Sequence, residues 1–231
     1  MAKKLFIAST GQHKGKTTST LGLVAAFRAK GLNVGYCKPV GQKHILVRGQ
    51  MADKDTVLFE KILQFDVHPD IHSPVILASG VTTRFIQNPD QFDFENDILK
   101  AAAYLEKNHD IVVYEGTGHS GVGSIVNLSN AQVAKLLDVE VVMIVTGGIG
   151  SPFDRLNMNL SLFREQGVPI KGVIINKVHP DKFERVRDNF GKALEKIGIP
   201  LIGVLPYDKM LSFPLMVHSI FSKWPIATPN A

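Results

Sequence analysis

Six short apolar runs punctuate the chain: Leu5–Ala8, Val34–Val40, Ile111–Tyr114, Val141–Val145, Val173–Ile175 and Leu201–Leu205. Most are continuous rather than alternating, which suits strands covered on both faces and predicts a parallel sheet. Segments of helical spacing separate them. Leu21, Val24, Ala25 and Phe27 share one face of Thr18–Lys30, and Lys54–Gln64, Phe94–Lys107, Ala131–Leu137, Phe153–Glu165 and Lys182–Lys196 follow. Ser129 and Gln132 are spaced as a capping box, and Gly31, Gly167 and Gly198 stand where helices end. The pattern predicts an α/β fold in three layers, a mainly parallel central sheet flanked by helices, built as one domain over residues 1–231.

Two stretches lack a clear period. Val67–Asp90 carries Pro69, Pro74 and Pro89 and reads as an irregular surface excursion of the kind that touches substrate. From Asp208 onward, Leu211, Leu215 and Ile220 with Phe213, Phe221 and Trp224 predict a packed terminal helix or a face against a partner, and residues 225–231 read as a frayed end.

The segment Thr10-Gly11-Gln12-His13-Lys14-Gly15-Lys16-Thr17 joins the first predicted strand directly to the first helix. A turn in that position aims free backbone N–H groups and the positive end of the helix at one point, where an anion binds. Gly15 lets the main chain come close, Lys16 reaches the β- and γ-phosphates, and the Thr17 hydroxyl is placed for Mg²⁺. Thr10 stands where the usual phosphate-loop pattern has glycine. His13 sits within the loop, either touching phosphate or solvated.

Composition narrows the function classes. Hydrophobic residues make up 45% and charged residues 20% of the chain, and no segment reaches the roughly 18 apolar residues of a membrane span. The apolar stretch after Met1–Lys4 is too short for a signal peptide, so the expected setting is cytoplasmic, with no membrane partner. The net charge of +5 comes from scattered basic residues, which fits a polyphosphate ligand rather than nucleic acid. A single cysteine, Cys37, excludes an internal disulfide and an all-cysteine metal site, and is expected in the core.

Further chemistry gathers at predicted strand ends. Glu115 closes an apolar strand and is either a Mg²⁺ ligand or a cap for backbone N–H groups. The glycine-rich stretch Gly116–Gly123 opens no helix, so it is not a dinucleotide fingerprint; a mobile loop over phosphate or substrate is expected, with His119 and Ser120 as polar contacts. Lys38 would bring a second ammonium to a transferring phosphoryl group, or be solvated. Asp53 and Asp55 begin a helix, where the dipole favours acids, and Asp55 is also a candidate metal ligand. His68 and His72 flank Pro69 and read as loop histidines rather than a metal pair. No Ser-His-Asp hydrolase arrangement is supported.

Together, Thr10–Thr17, Val34–Val40, Glu115–Gly118, Gly147–Ser151, Val173–Lys177 and Gly203–Pro206 resemble the dethiobiotin synthetase-like P-loop ATPases. That family includes the synthetase domain of cobyrinic acid a,c-diamide synthases and the N-terminal domain of long phosphate acetyltransferases. The threonine at position 10 is similar to the dethiobiotin synthetase loop. The stretch Glu115–Ser124 with Asn127–Asn130 most resembles the acetyltransferase-associated domain, which sets the diamino acid substrate apart.

The resemblance implies ATP and Mg²⁺ as cofactors in a P-loop NTPase fold, and a homodimer. Gly11, Gln12, His13, Lys14, Gly15, Lys16, Thr17 and Thr18 would cradle phosphate, with Lys16, Lys38 and Glu115 as the catalytic set and Thr17, Asp55 and Glu115 around the metal. Asn176 would recognise adenine, with Pro206 and Tyr207 beside the base. The implied activity is an ATP-dependent ligation, in which phosphoryl transfer activates a small carboxylate or carbamate for attack by an amine. The alternative is a non-catalytic nucleotide-sensing module. A partitioning-type ATPase is disfavoured, because its signature lysine would fall at Gly11.

Overall fold

Strands and helices follow one another along residues 2–209 and Leu211, the residues described in this computed structural model. In chain order they are β1 (Lys3–Ser9), α1 (Lys16–Ala29), β2 (Val34–Cys37), β3 (Val40–Gly41), β4 (His44–Val47), β5 (Gln50–Asp53) and α2 (Lys54–Leu63). There follow α3 (Pro69–His72), β6 (Val75–Ile76), α4 (Val81–Gln87), α5 (Phe94–Asn108), β7 (Ile111–Glu115) and α6 (Asn130–Leu136). The last elements are β8 (Val141–Thr146), α7 (Gly150–Glu165), β9 (Ile170–Val178), α8 (Phe183–Glu195) and β10 (Leu201–Pro206). The expected terminal helix with Phe213, Leu215, Ile220, Phe221 and Trp224 lies outside the described residues.

Six strands form the main sheet in the order β10-β9-β8-β1-β7-β2, and each neighbouring pair is parallel. This is the expected three-layer architecture. The continuous apolar runs follow from it, because every residue of β7 is buried. Alternate residues of β1 serve opposite layers. Leu5 and Ile7 pack with Leu21 and Val24 of α1 and Phe59 of α2, whereas Phe6 and Ala8 join Ile98 of α5, Ala131 of α6, Leu160 of α7 and Phe190 of α8. Burying one such large side chain contributes about 1.5–3 kcal/mol, so the two layers together fix the register of β1.

That division creates the site. β1 and β7 are neighbours, with Ile7 beside Glu115, yet the helix after β1 covers one face and the helix after β7 covers the other. Connections therefore diverge at their carboxyl ends and leave a crevice, the place where open α/β sheets bind ligands.

The strand predicted over Val34–Val40 is broken. Its chain leaves the main sheet after Cys37, where the Lys38 N–H donates to His72 O at 2.9 Å and Pro39 has no N–H to offer. Val40 and Gly41 then pair in parallel with Val75 and Ile76. The hairpin of β4 and β5 was not expected. Val67–Asp90 is likewise not irregular: it holds α3, β6, α4 and a 3-10 turn at Pro89–Gln91. Pro69 sits in the first turn of α3, where its missing N–H costs nothing. Elements of two to seven residues are too short to display a period. The capping box at Ser129 and Gln132 is formed as expected.

Candidate functional site

The loop between β1 and α1 is built around Gly15, which adopts φ 83° at the start of the helix. A Cβ there would lie 2.0 Å from Asn176 Nδ2, so glycine is required by conformation and by space. Ser9, at the end of β1, donates its hydroxyl to Gly11 O at 2.9 Å and to Gly118 O at 3.1 Å, tying the loop to the segment after β7. No side chain caps α1, and its first turn holds no acid. Its N-terminal N–H groups are thus left for an anion.

A cavity of about 390 Å³ opens at this point. Gly11, Gln12, His13, Gly15, Lys16, Thr17 and Thr18 line one side, and Lys38, Asp53, Asp55, Thr117 and Gly118 line the other. Lys14 belongs to the loop but does not line the cavity, and neither does Glu115. Lys43, Lys54 and Lys177 add positive charge to the rim. Burial lowers the Lys16 ammonium below the usual lysine range, with Lys38 adding to the effect and Glu115, Asp55 and Asp53 opposing it.

Glu115 is wholly buried. Thr17 Oγ1 donates to one of its oxygens at 2.7 Å and Tyr36 OH donates to the other at 3.0 Å. Burial raises its pKa, and Asp55 adds to this against the opposing Lys38, Lys16 and Thr17. Lys38, almost fully buried, lies 2.9 Å from Asp53 Oδ1 and in a short contact with Asp55. Burial alone would lower the Lys38 pKa, but Glu115, Asp55 and Asp53 together hold it above the usual lysine range. Lys38 is therefore neither solvated nor unpaired.

The sequence marks Asp53 only as a helix-start acid, yet it organises this corner. Its Oδ1 accepts from Asp55 N at 2.9 Å, capping α2, and from Lys38; its Oδ2 accepts from Gln42 N at 3.2 Å. Asn130 and Asn159 were also missed. Asn130 Oδ1 accepts from Thr117 N at 2.9 Å, while its amide donates to Thr117 O at 2.8 Å and His119 O at 2.6 Å. Asn159 Oδ1 accepts from both the backbone and the hydroxyl of Ser120, at 2.9 and 2.7 Å. The glycine-rich segment is thus a tethered loop rather than the expected mobile cover. Ser120 is buried with its hydroxyl committed to Asn159, and His119 Nδ1 accepts from Gly121 N at 3.2 Å.

The residues expected around a base lie apart from the cavity lining. Asn176, at the carboxyl end of β9, is buried against the loop. Pro206 closes β10, and Tyr207 stacks on His179 with ring centroids 5.2 Å apart. His68 and His72 form no metal pair. His72 Nδ1 accepts from His68 N at 3.0 Å, and burial pulls its pKa down to about 4. Cys37 is buried, as expected. Among the described residues, no group of three or more His, Cys, Asp or Glu is placed to hold a metal ion. Nor is any helix among them long and apolar enough to cross a membrane.

A family model described as an AAA domain, AAA_26, matches residues 3–214. The ATP-dependent dethiobiotin synthetase BioD of Clostridium kluyveri is 26% identical over 215 residues, covering 89% of this chain and 86% of that protein. A probable cobyric acid synthase of Methanococcus vannielii is 25% identical, covering 93% of this chain but 48% of that protein. A phosphate acetyltransferase of Nitrosomonas europaea is also 25% identical, covering 93% of this chain and 31% of that protein. The chain thus spans about half and about a third of these two longer relatives. Among solved structures, the septum site-determining protein MinD of Pyrococcus horikoshii with Mg-ADP aligns with a TM-score of 0.57 at 16% identity, over 95% of this chain and 86% of that one. That likeness shows the fold. The chain belongs to the AAA_26 family of AAA domains, and its fold is that of a BioD-like P-loop NTPase.

Proposed function

We propose that the crevice binds Mg-ATP and that the protein uses it to activate a small carboxylate or carbamate for attack by an amine. One observation carries this reading: the uncapped start of α1, with Lys16, Thr17, Lys38 and Asp55, lines a single cavity where the connections of β1 and β7 diverge. The match to dethiobiotin synthetases over most of both chains supports the reaction class.

In this reading the loop N–H groups and Lys16 hold the triphosphate tail. Lys38 neutralises charge spreading over the transferring group, the effect on which phosphoryl transfer chiefly depends. The acceptor oxygen bonds to the γ-phosphorus as the bond to the bridging oxygen of ADP breaks. The amine nitrogen then bonds to the activated carbon, phosphate leaves with the electron pair, and the amine gives up a proton. Thr17 and Asp55, which line the cavity, would offer hard oxygen donors, with Glu115 behind Thr17 as the third, and bound Mg²⁺ would supply charge neutralisation at the phosphate oxygens. Asn176 keeps one amide hydrogen and one lone pair beyond those it uses on the protein, enough to meet an adenine edge near Pro206 and Tyr207.

A single domain over residues 1–231 and a homodimer belong to the same proposal. Exposed Ile86 of α4 and Ile125 of the adjoining turn Ser124–Val126 offer apolar surface for the second copy. The test is incubation with Mg-ATP, bicarbonate and 7,8-diaminopelargonic acid. Cyclic urea formed with matching phosphate release supports ligation. Nucleotide binding without substrate-stimulated phosphate release favours a second reading, a nucleotide-sensing module, which the phosphate acetyltransferase match supports.

A further inference from the structure

We infer that Asn176 and Lys177 are positioning residues that brace the phosphate loop from the carboxyl end of β9 and hold its shape before any nucleotide arrives. The inference rests on the proposed phosphate site and deepens it. Asn176 Nδ2 donates to Lys14 O at 3.0 Å, and Lys177 Nζ donates to His13 O at 2.9 Å. Two successive loop carbonyls are thereby drawn toward β9. Because each peptide unit is planar and trans, the N–H groups of Lys14 and Gly15 are turned away from β9. The brace itself is stiff: Asn176 Oδ1 accepts from Lys177 N at 2.9 Å, Gly147 N donates to Asn176 O at 2.8 Å, and Tyr207 N donates to Val178 O at 2.7 Å.

Two further observations point the same way. His13 and Lys177, the two ends of one hydrogen bond, both have φ 59°, a left-handed conformation that a non-glycine residue keeps only where its neighbours over-determine it. At Gly15 a Cβ would fall 2.0 Å from Asn176 Nδ2 and 3.6 Å from Lys177 Cε, so loop and brace are fitted with no room to spare. A loop held in its bound shape loses less freedom when an anion docks, and binds it more tightly for that reason.

The test uses a ligand with no base. Inorganic tripolyphosphate without magnesium is titrated into the parent protein, Asn176→Ala, Lys177→Met and Lys177→Arg. Amide hydrogen exchange across residues 10–17 is followed in the same proteins without ligand. The brace predicts about tenfold weaker tripolyphosphate binding for Asn176→Ala and Lys177→Met, the change that one well-placed hydrogen bond can produce. It also predicts faster loop exchange in both, and recovery of slow exchange in Lys177→Arg. Folded variants with parental exchange and parental tripolyphosphate affinity overturn the brace. If Asn176→Ala does not fold, the Lys177 variants decide, because that side chain is only half-buried. A parent that binds neither tripolyphosphate nor ATP instead removes the phosphate-site reading beneath it.

Discussion

Thr17 Oγ1 lies 2.7 Å from Glu115 Oε1, joining the first turn of α1 to the last residue of β7. With Tyr36 OH on Oε2, both oxygens of a wholly buried carboxylate hold a hydrogen bond. Any ligand that engages the Thr17 hydroxyl draws on the same group that satisfies Glu115. The two oxygens of that contact come from residues 98 apart in sequence, so the crevice is a product of the fold rather than of the loop alone.

Replacing Glu115 by Gln preserves the shape and removes the charge. Magnesium-dependent phosphate release is expected to fall about 100-fold, the scale seen when one electrostatic contributor to a transition state is lost. Binding of ATP without metal is expected to change little. Steady-state phosphate release over a magnesium titration, beside calorimetric affinities, checks the split.

The raised pKa of Glu115 makes a signed prediction about stability. Above the ordinary carboxylate value of 4.5, an unfolded chain gives up this proton while the folded protein still holds it. The folded state then binds more protons, so the contribution of Glu115 to stability falls as pH rises through the window between 4.5 and its higher folded value. Urea unfolding at a series of pH values should show Glu115→Gln gaining stability over the parent across that window. A difference that stays constant, or runs the other way, contradicts the assignment.

Asp53 and Asp55 both touch Lys38 but differ in exposure, with side chains 1% and 35% accessible. Asp53→Ala removes the cap of α2 and one partner of a buried ammonium, and is expected to cost about 3 kcal/mol. Asp55→Ala leaves Asp53 in place and is expected to cost about 1 kcal/mol or less. Urea midpoints of the two variants test this order, and equal losses would assign no special role to Asp53.

Much of the fold and part of the site were legible in the sequence. The main strands were readable because strands such as β7 and β8 are buried along nearly their whole length, so their apolar residues run on without interruption. The hairpin of β4 and β5 gave no such pattern, since Ile45, Leu46 and Met51 face outward. Lys16, Thr17 and Glu115 could be picked out because their chemistry coincides with a strand end or a helix start. Asp53, Asn130 and Asn159 could not: their partners lie 15, 13 and 39 residues away, and an isolated acid or amide carries no periodic mark. The tethering of the Gly116–Gly123 segment was missed for the same reason, because its anchors belong to α6 and α7.

Gly15→Ala tests the geometry of the loop without touching a charged group. A Cβ at φ 83° is strained, and here it also meets the Asn176 amide. Affinity for ATP should drop by at least about tenfold while the fold persists, measured by calorimetry and circular dichroism. Undiminished affinity would mean that the loop reshapes freely on binding.

The central claim, that the loop between β1 and α1 grips a triphosphate tail, is tested most directly by calorimetric titration of ATP with magnesium into the parent protein and Lys16→Ala. The account predicts saturable binding to the parent and a loss of about tenfold or more in the variant. No heat from a folded parent, or equal affinity in both proteins, would contradict it.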